Sequence, residues 1–250
     1  MIENVHSIYN APSVYNQGGG GGGGGVKPLP DGYTKLMYAE LTDDSTLVKV
    51  KLFENDEKNF SFFDVASINI YLPELDKNYA GINIKLNPVT RYSYSGFCDI
   101  QFKYLGQQKI YFGFNSYPGG GFASWEYDDV SLINYGAPQF LNLTCGREVE
   151  TGRYYYILNG VRKNGNVRPL SENPSINFSL FDVANSEIPF WKGTRFFSFD
   201  VVDGADSNIV KMKVVPVKRN LDNVVCFFDL VSQKFYTAGL NAYSAGPPVV

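Results

Sequence analysis

Ile68-Asn69-Ile70-Tyr71-Leu72 and Ile82-Asn83-Ile84-Lys85-Leu86 place an apolar residue at every second position. Side chains of an extended strand alternate between two faces, whereas a helix repeats every 3.6 residues. This period therefore belongs to strands with one face buried. The pattern continues in both directions. Leu47-Val48-Lys49-Val50-Lys51-Leu52-Phe53 precedes it, and Ile100-Gln101-Phe102-Lys103-Tyr104 and Ile110-Tyr111-Phe112-Gly113-Phe114 follow. Tyr154-Tyr155-Tyr156-Ile157-Leu158 runs into Asn159-Gly160, a two-residue hairpin signal, and Val161-Arg162 resumes the strand. Phe196 to Val202, Val210 to Val217, Val224 to Leu230 and Lys234 to Tyr236 complete the set. Turn residues recur roughly every ten positions, and no long amphipathic helix is predicted. Many strands without helices to cover them must pack as two sheets or close into a barrel. The length best fits an all-β jelly-roll sandwich.

Composition narrows the function classes. Aromatic residues make up 16% of the 250-residue chain and charged residues 19%, which is globular and not disordered. The formal net charge of -3, with both signs interspersed, gives no electrostatic case for nucleic acid or an anionic membrane as partner. Met1 to His6 has neither a basic n-region nor an apolar h-region, so no signal peptide is expected there. No apolar run approaches the ~18 residues a membrane span needs. Cys98, Cys145 and Cys226 are scattered among apolar residues and read as small buried hydrophobes of a chain folded in a reducing cytosol.

Gly18 to Gly25 are eight consecutive glycines. Glycine loses the most backbone freedom on ordering, so such a run acts as a flexible tether. It divides the chain into an anchor peptide at 1–17, a Gly-rich and Pro-containing linker at 18–30, and a β-sandwich body at 31–250. Ile2, Val5, Ile8, Tyr9, Val14 and Tyr15 are apolar positions that so short a peptide cannot bury by itself. They are the candidate partner-binding residues. A plain terminal extension is the alternative.

A short phrase recurs at irregular spacing: Phe62-Phe63-Asp64-Val65-Ala66, Leu180-Phe181-Asp182-Val183-Ala184, Phe199-Asp200-Val201-Val202 and Phe227-Phe228-Asp229-Leu230-Val231. Irregular spacing excludes a solenoid or propeller. Its local meaning is a strand whose inward aromatics alternate with an outward carboxylate. Two further stretches carry a family resemblance. They are the lead-in Leu29-Pro30-Asp31-Gly32-Tyr33-Thr34-Lys35-Leu36, and the tail that combines Val215-Pro216-Val217-Lys218, Phe228-Asp229-Leu230-Val231-Ser232-Gln233-Lys234-Phe235-Tyr236 and Ala245-Gly246-Pro247. Together they resemble the concanavalin A-like, laminin-G-like jelly-roll domains of bacteriophage virion proteins, although Phe227-Phe228 stands where that family has Leu-Tyr. The resemblance implies a jelly-roll β-sandwich with an extended N-terminal anchor and a virion setting. It supplies no binding site.

Catalytic chemistry finds little purchase. The single histidine, His6, lies in the anchor peptide, so the body has no histidine for a triad or a metal site. Related jelly rolls include hydrolases with Glu-x-Asp-x-x-Glu on one strand; the nearest approach here, Glu54-Asn55-Asp56, has Asn59 in the third place. Asp43-Asp44-Ser45, Asp128-Asp129 and Asp203 to Asn208 offer clustered oxygens without EF-hand spacing and read as polar turns. No catalytic residue, metal or cofactor is expected. A glycan site needs an exposed aromatic platform beside polar groups. Tyr117, Trp125 and Tyr127 in the loop-like segment 117–129, and Trp191 in Pro189-Phe190-Trp191-Lys192-Gly193, are the candidates. Packing in the core or at a subunit interface is the competing role for both tryptophans. The chain is thus expected to be a non-enzymatic virion protein, a head fibre or decoration. It would be assembled in the host cytoplasm and bound to a capsid or tail protein through residues 1–17. By family analogy it would be a homo-oligomer, trimer before dimer. The alternatives are a glycan-binding receptor module and a degenerate glycosidase.

Overall fold

In the computed structural model, the described residues are 25–42, 50–51, 64–74, 84–88, 98–104, 108–114, 123–127, 137–167, 176–180, 192–238 and 241–249. They form seventeen strands and no helix. The larger sheet has eleven strands. Along its main path run β11 (Val161–Val167), β10 (Arg153–Leu158), β9 (Gln139–Arg147), β4 (Val65–Leu72), β13 (Arg195–Val202), β14 (Val210–Arg219), β15 (Val225–Asp229) and β16 (Lys234–Tyr236). Three short strands attach beside it: β1 (Tyr33–Lys35) on β14, and β2 (Ala39–Leu41) between β13 and β17 (Tyr243–Ala245). The second sheet runs β3 (Val50–Lys51), β12 (Ile176–Leu180), β5 (Ile84–Pro88), β6 (Cys98–Tyr104), β7 (Gln108–Phe114), β8 (Ala123–Tyr127). Every pairing is antiparallel. The chain passes repeatedly from one sheet to the other: β3, β5 to β8 and β12 lie in the smaller sheet and their sequence neighbours in the larger. This interleaving is that of a jelly-roll sandwich, and the all-β expectation holds.

Alternation sets the faces of the larger sheet. On β4, Ala66, Ile68, Ile70 and Leu72 are buried while Val65, Ser67, Asn69 and Tyr71 are half-buried on the other side. The inner face continues through Leu141, Leu143 and Cys145 on β9, Phe196, Phe199 and Val201 on β13, and Met212 and Val214 on β14. Phe227 closes it, its ring 4.3 Å from that of Phe196 and 5.0 Å from that of Tyr243. Each such phenylalanine contributes about 2–3 kcal/mol by leaving water.

At the β14–β15 edge the outer face is covered as well. Val215, Val217, Phe228 and Leu230 form a small apolar cluster, packed by Leu29, Tyr33 and Phe235. Lys27 N donates to Leu230 O at 2.9 Å, and Gln233 Nε2 to Pro28 O at 3.3 Å. The packed body therefore takes in residues from Lys27 onward, within the stretch assigned to the linker. The two motifs of the family resemblance meet in space. Leu36 bridges Pro248, Met37 N donates to Pro247 O, and Val249 N to Lys35 O.

The expectation of outward carboxylates holds for one phrase and fails for two. Asp200 on β13 faces outward. Asp229 is fully buried. Its Oδ1 accepts from Lys213 N and Val231 N, each at 3.0 Å, and its Oδ2 from Ser232 N at 3.2 Å. A carboxylate at the end of β15 satisfies turn amides that would otherwise be orphaned, and this outweighs its hydration. Asp64 is buried too, with Lys211 Nζ 2.7 Å from its Oδ1. Phe62, Phe63 and the 181–184 copy lie outside the described residues.

Candidate functional site

The outer face of the larger sheet carries a continuous cross-strand row. Residues directly opposite in antiparallel register share a face. Ser244 pairs with Glu40, Glu40 with Arg195, Arg195 with Tyr71, and Tyr71 with Phe140. Five strands thus present Ser-Glu-Arg-Tyr-Phe in one line.

A bulge enlarges the aromatic part. The β13–β4 register shifts between Phe196 and Ser198, which leaves Phe197 unpaired. An inserted residue of this kind re-aims side chains. Phe196 stays in the core, and Phe197 lies with the outer rings, its centroid 5.6 Å from both Tyr38 and Phe140. Tyr71 meets Phe140 edge-on at 5.1 Å. The four rings form a contiguous patch of which Phe140 is 45% exposed.

Arg195 is held in that patch from several sides. Its Nε donates to Glu40 Oε2 at 2.6 Å. Its guanidinium carbon lies 4.6 Å from the Tyr38 ring centroid and 5.0 Å from that of Tyr71. Cation–π attraction and a charge-assisted hydrogen bond together fix the planar head group. The hydrogen bond to Glu40 also holds the Arg195 pKa above its usual value. Gly193, at φ +90°, makes the turn into β13, and its N donates to Leu41 O at 2.8 Å, tying that entry to β2. Gly246 N donates to Tyr38 O at 3.0 Å.

Beside the rings comes a row of polar, uncharged side chains. Asn142 Nδ2 donates to Asn69 Oδ1 at 2.5 Å, and Asn69 Nδ2 to Ser198 Oγ at 2.9 Å. Ser67 and Thr144 hydroxyls meet at 2.8 Å in the following row. The Asn159-Gly160 turn anchors this ladder: both residues have positive φ (49° and 84°), as a type I′ turn requires, and Asn142 N donates to Asn159 Oδ1 at 2.9 Å. Next along β13 comes Asp200, with Lys213 Nζ 3.6 Å away. Burial pushes the Asp200 carboxyl above its usual range, and Lys213 opposes this.

Of the glycan candidates named from the sequence, two are described, and both lie outside this row. Trp125 and Tyr127 lie on β8, so the middle of the loop-like segment is a strand at the end of the smaller sheet, with Trp125 opposite Phe112. Tyr117, Trp191, the anchor residues 1–17 and the Glu54–Asn59 segment lie outside the described residues. Of the acidic clusters, Asp203 to Asn208 is described and is a self-capped turn: Asp203 Oδ1 accepts from Ala205 N and Asp206 N. Among the described residues no three His, Cys, Asp or Glu side chains group as a metal site, and no helix is long and apolar enough to cross a membrane. The aromatic row lies on paired strands, and its members come together only through strand register, which the linear sequence does not display. The alternate residues of Ile68 to Leu72, Asn69 and Tyr71, were its visible signal.

No family model matches the chain, and no curated protein matches it. Among solved structures it is similar to a single mutant of congerin II, at 13% identity over 59% of this chain and 97% of that one, with a TM-score of 0.35. It is also similar to the alginate lyase vAL-1 from Chlorella virus, at 13% identity over 68% of this chain and 90% of that one, with a TM-score of 0.40. Neither likeness assigns a residue or an activity to this chain.

Proposed function

We propose that this chain is a non-enzymatic carbohydrate-binding jelly roll, displayed on a phage particle through residues 1–17 with the octaglycine as spacer. The observation that carries the binding reading is the line Ser244-Glu40-Arg195-Tyr71-Phe140 with its ring patch. A pyranose has an apolar C–H face and a rim of hydroxyls. Half-buried rings take the first, while fixed amide, hydroxyl and guanidinium groups take the second. The rings and the ladder are set by strand register and by hydrogen bonds to one another, so little is left to order on binding. The virion setting rests on the family resemblance of the lead-in and tail and on the composition break at Gly18. A trimer on the particle would multiply weak single-site binding by avidity.

A glycan array probed with the full chain tests the binding reading. Retention of a defined glycan set, lost by at least about tenfold in Phe140→Ala and Tyr71→Ala variants that keep the wild-type melting curve, is the expected result. Unchanged binding in both variants sinks it. For display, deleting residues 1–17 should leave a folded body absent from purified particles. Wild-type copy number of the truncated chain in virions would refute the anchor.

A further inference from the structure

We infer that the Arg195–Glu40 couple makes this face selective for an uncharged, vicinal-diol-bearing sugar and against an acidic one, an inference that rests on the carbohydrate-binding reading above. An isolated, fixed guanidinium on a surface invites a carboxylate, because its fork matches two oxygens. Arg195 is not isolated. Glu40 takes its Nε at 2.6 Å, and the two side chains remain 37% and 31% exposed side by side. Among the described residues no hydrogen bond reaches the terminal nitrogens of Arg195 or Oε1 of Glu40. Toward the described residues the couple therefore presents open donors next to an open acceptor, with no net charge. Adjacent hydroxyls of a sugar can each accept and donate, so one can take an Arg195 N–H while its neighbour donates to Glu40. An incoming carboxylate could use the donors alone and would arrive against the Glu40 charge. The rest of the row and ladder supports the same ligand. Tyr71 and Phe140 offer apolar rings, and Asn69, Asn142, Ser198, Ser67 and Thr144 offer neutral polar atoms. The charged side chains in the row beyond the ladder are themselves paired, Arg162 with Glu148 and Asp200 with Lys213.

The test uses the full chain against a panel of neutral oligosaccharides and a panel of uronic and sialic oligosaccharides, at low and at physiological salt. Wild type should bind neutral members with little salt dependence and the acidic panel at least about tenfold more weakly. Glu40→Gln should raise acidic binding on the order of tenfold and make it salt-sensitive, because an unneutralised guanidinium then remains. Arg195→Met should weaken neutral binding without admitting acidic sugars. Wild-type preference for acidic sugars, or acidic binding unmoved by Glu40→Gln, overturns the selectivity. Phe140→Ala separates the two readings. Neutral binding that needs Phe140 but ignores both Glu40 and Arg195 sinks the selectivity alone, whereas binding indifferent to Phe140 and Tyr71, or absent in wild type, sinks the carbohydrate face and the selectivity with it.

Discussion

At the residue scale, a few side chains hold positions that no neighbour could take over. A Cβ on Gly246 would lie 2.7 Å from Tyr38 O and 2.8 Å from its ring. Backbone at that distance cannot give way cheaply, so Gly246→Ala should displace Tyr38 and with it the ring stacked on Arg195. A loss of roughly 1–3 kcal/mol in urea unfolding, together with weakened glycan binding, is expected. Lys211 is the second such residue. Its Nζ reaches Asp64 at 2.7 Å and Asp203 at 2.8 Å. Burial disfavours the Lys211 charge, but the hydrogen bonds to Asp203 and Asp64 outweigh it and hold the ammonium above its ordinary value. The same hydrogen bond, aided by the Ala205 and Asp206 amides, holds Asp203 below the ordinary 3.8. A depressed carboxylate stabilises above its ordinary range and loses this as pH falls; a raised ammonium stabilises below 10.5 and loses this as pH rises. Lys211→Met should cost about 2–3 kcal/mol at neutral pH, less than a fully buried pair because the ammonium is partly solvated. The gap to wild type should narrow as pH falls below the ordinary 3.8, because the unfolded chain then binds the proton before the paired Asp203 does. Thermal melts across pH measure this; a gap that stays constant below that pH would rule out the pair as its source.

At the element scale, the β10–β11 hairpin and the N-terminal strap decide local geometry. Asn159 and Gly160 both require positive φ, and Asn159 also bonds Asn142 in the ladder. Replacing the pair by Ala-Ala should cost roughly 1–3 kcal/mol, since each alanine would be forced into the left-handed region and one turn bond would vanish. Chemical-shift changes at Asn142 and Asn69 would report the loosened ladder, and an unaltered spectrum there would show that the turn does not anchor it. The strap from Lys27 to Leu36 covers Val215, Val217 and Phe228 on the outer face of β14 and β15. Removing residues 1–36 should therefore expose an apolar patch and promote association, whereas removing 1–24 should not. Light scattering of the two truncations measures this. Equal behaviour would mean that the strap is not a cover.

At the scale of the whole molecule, stability rests on apolar packing and strand pairing and not on covalent staples. Cys145 and Cys226 are free and buried. Burial pushes the Cys226 thiol up to about 12, so it stays protonated and inert near neutrality. Reductant should leave the melting curve unchanged, and iodoacetamide should modify Cys145 and Cys226 after denaturation only; mass spectrometry of the native chain checks this. Much of this molecule follows from local pattern. Period-two runs define β4 to β7 and β10, because a strand repeats where a helix cannot, and Asn159-Gly160 fixes its turn through the cost of positive φ. Other features depend on distant partners. Simple alternation would put Phe197, Phe199 and Val201 on one face, yet the bulge sends Phe197 outward and keeps Phe196 inside. Asp229 reads as a surface carboxylate until its turn amides are in view. The row Ser244-Glu40-Arg195-Tyr71-Phe140 joins residues up to 204 positions apart (244 − 40), so its members show no common pattern along the chain. Near-neighbour sterics and burial suffice to set the all-β class, most strand positions and the break at the glycines, and all three are legible along the chain. The tertiary structure alone decided which aromatics face outward and which charged groups meet, since strand register is set by packing across the whole sheet.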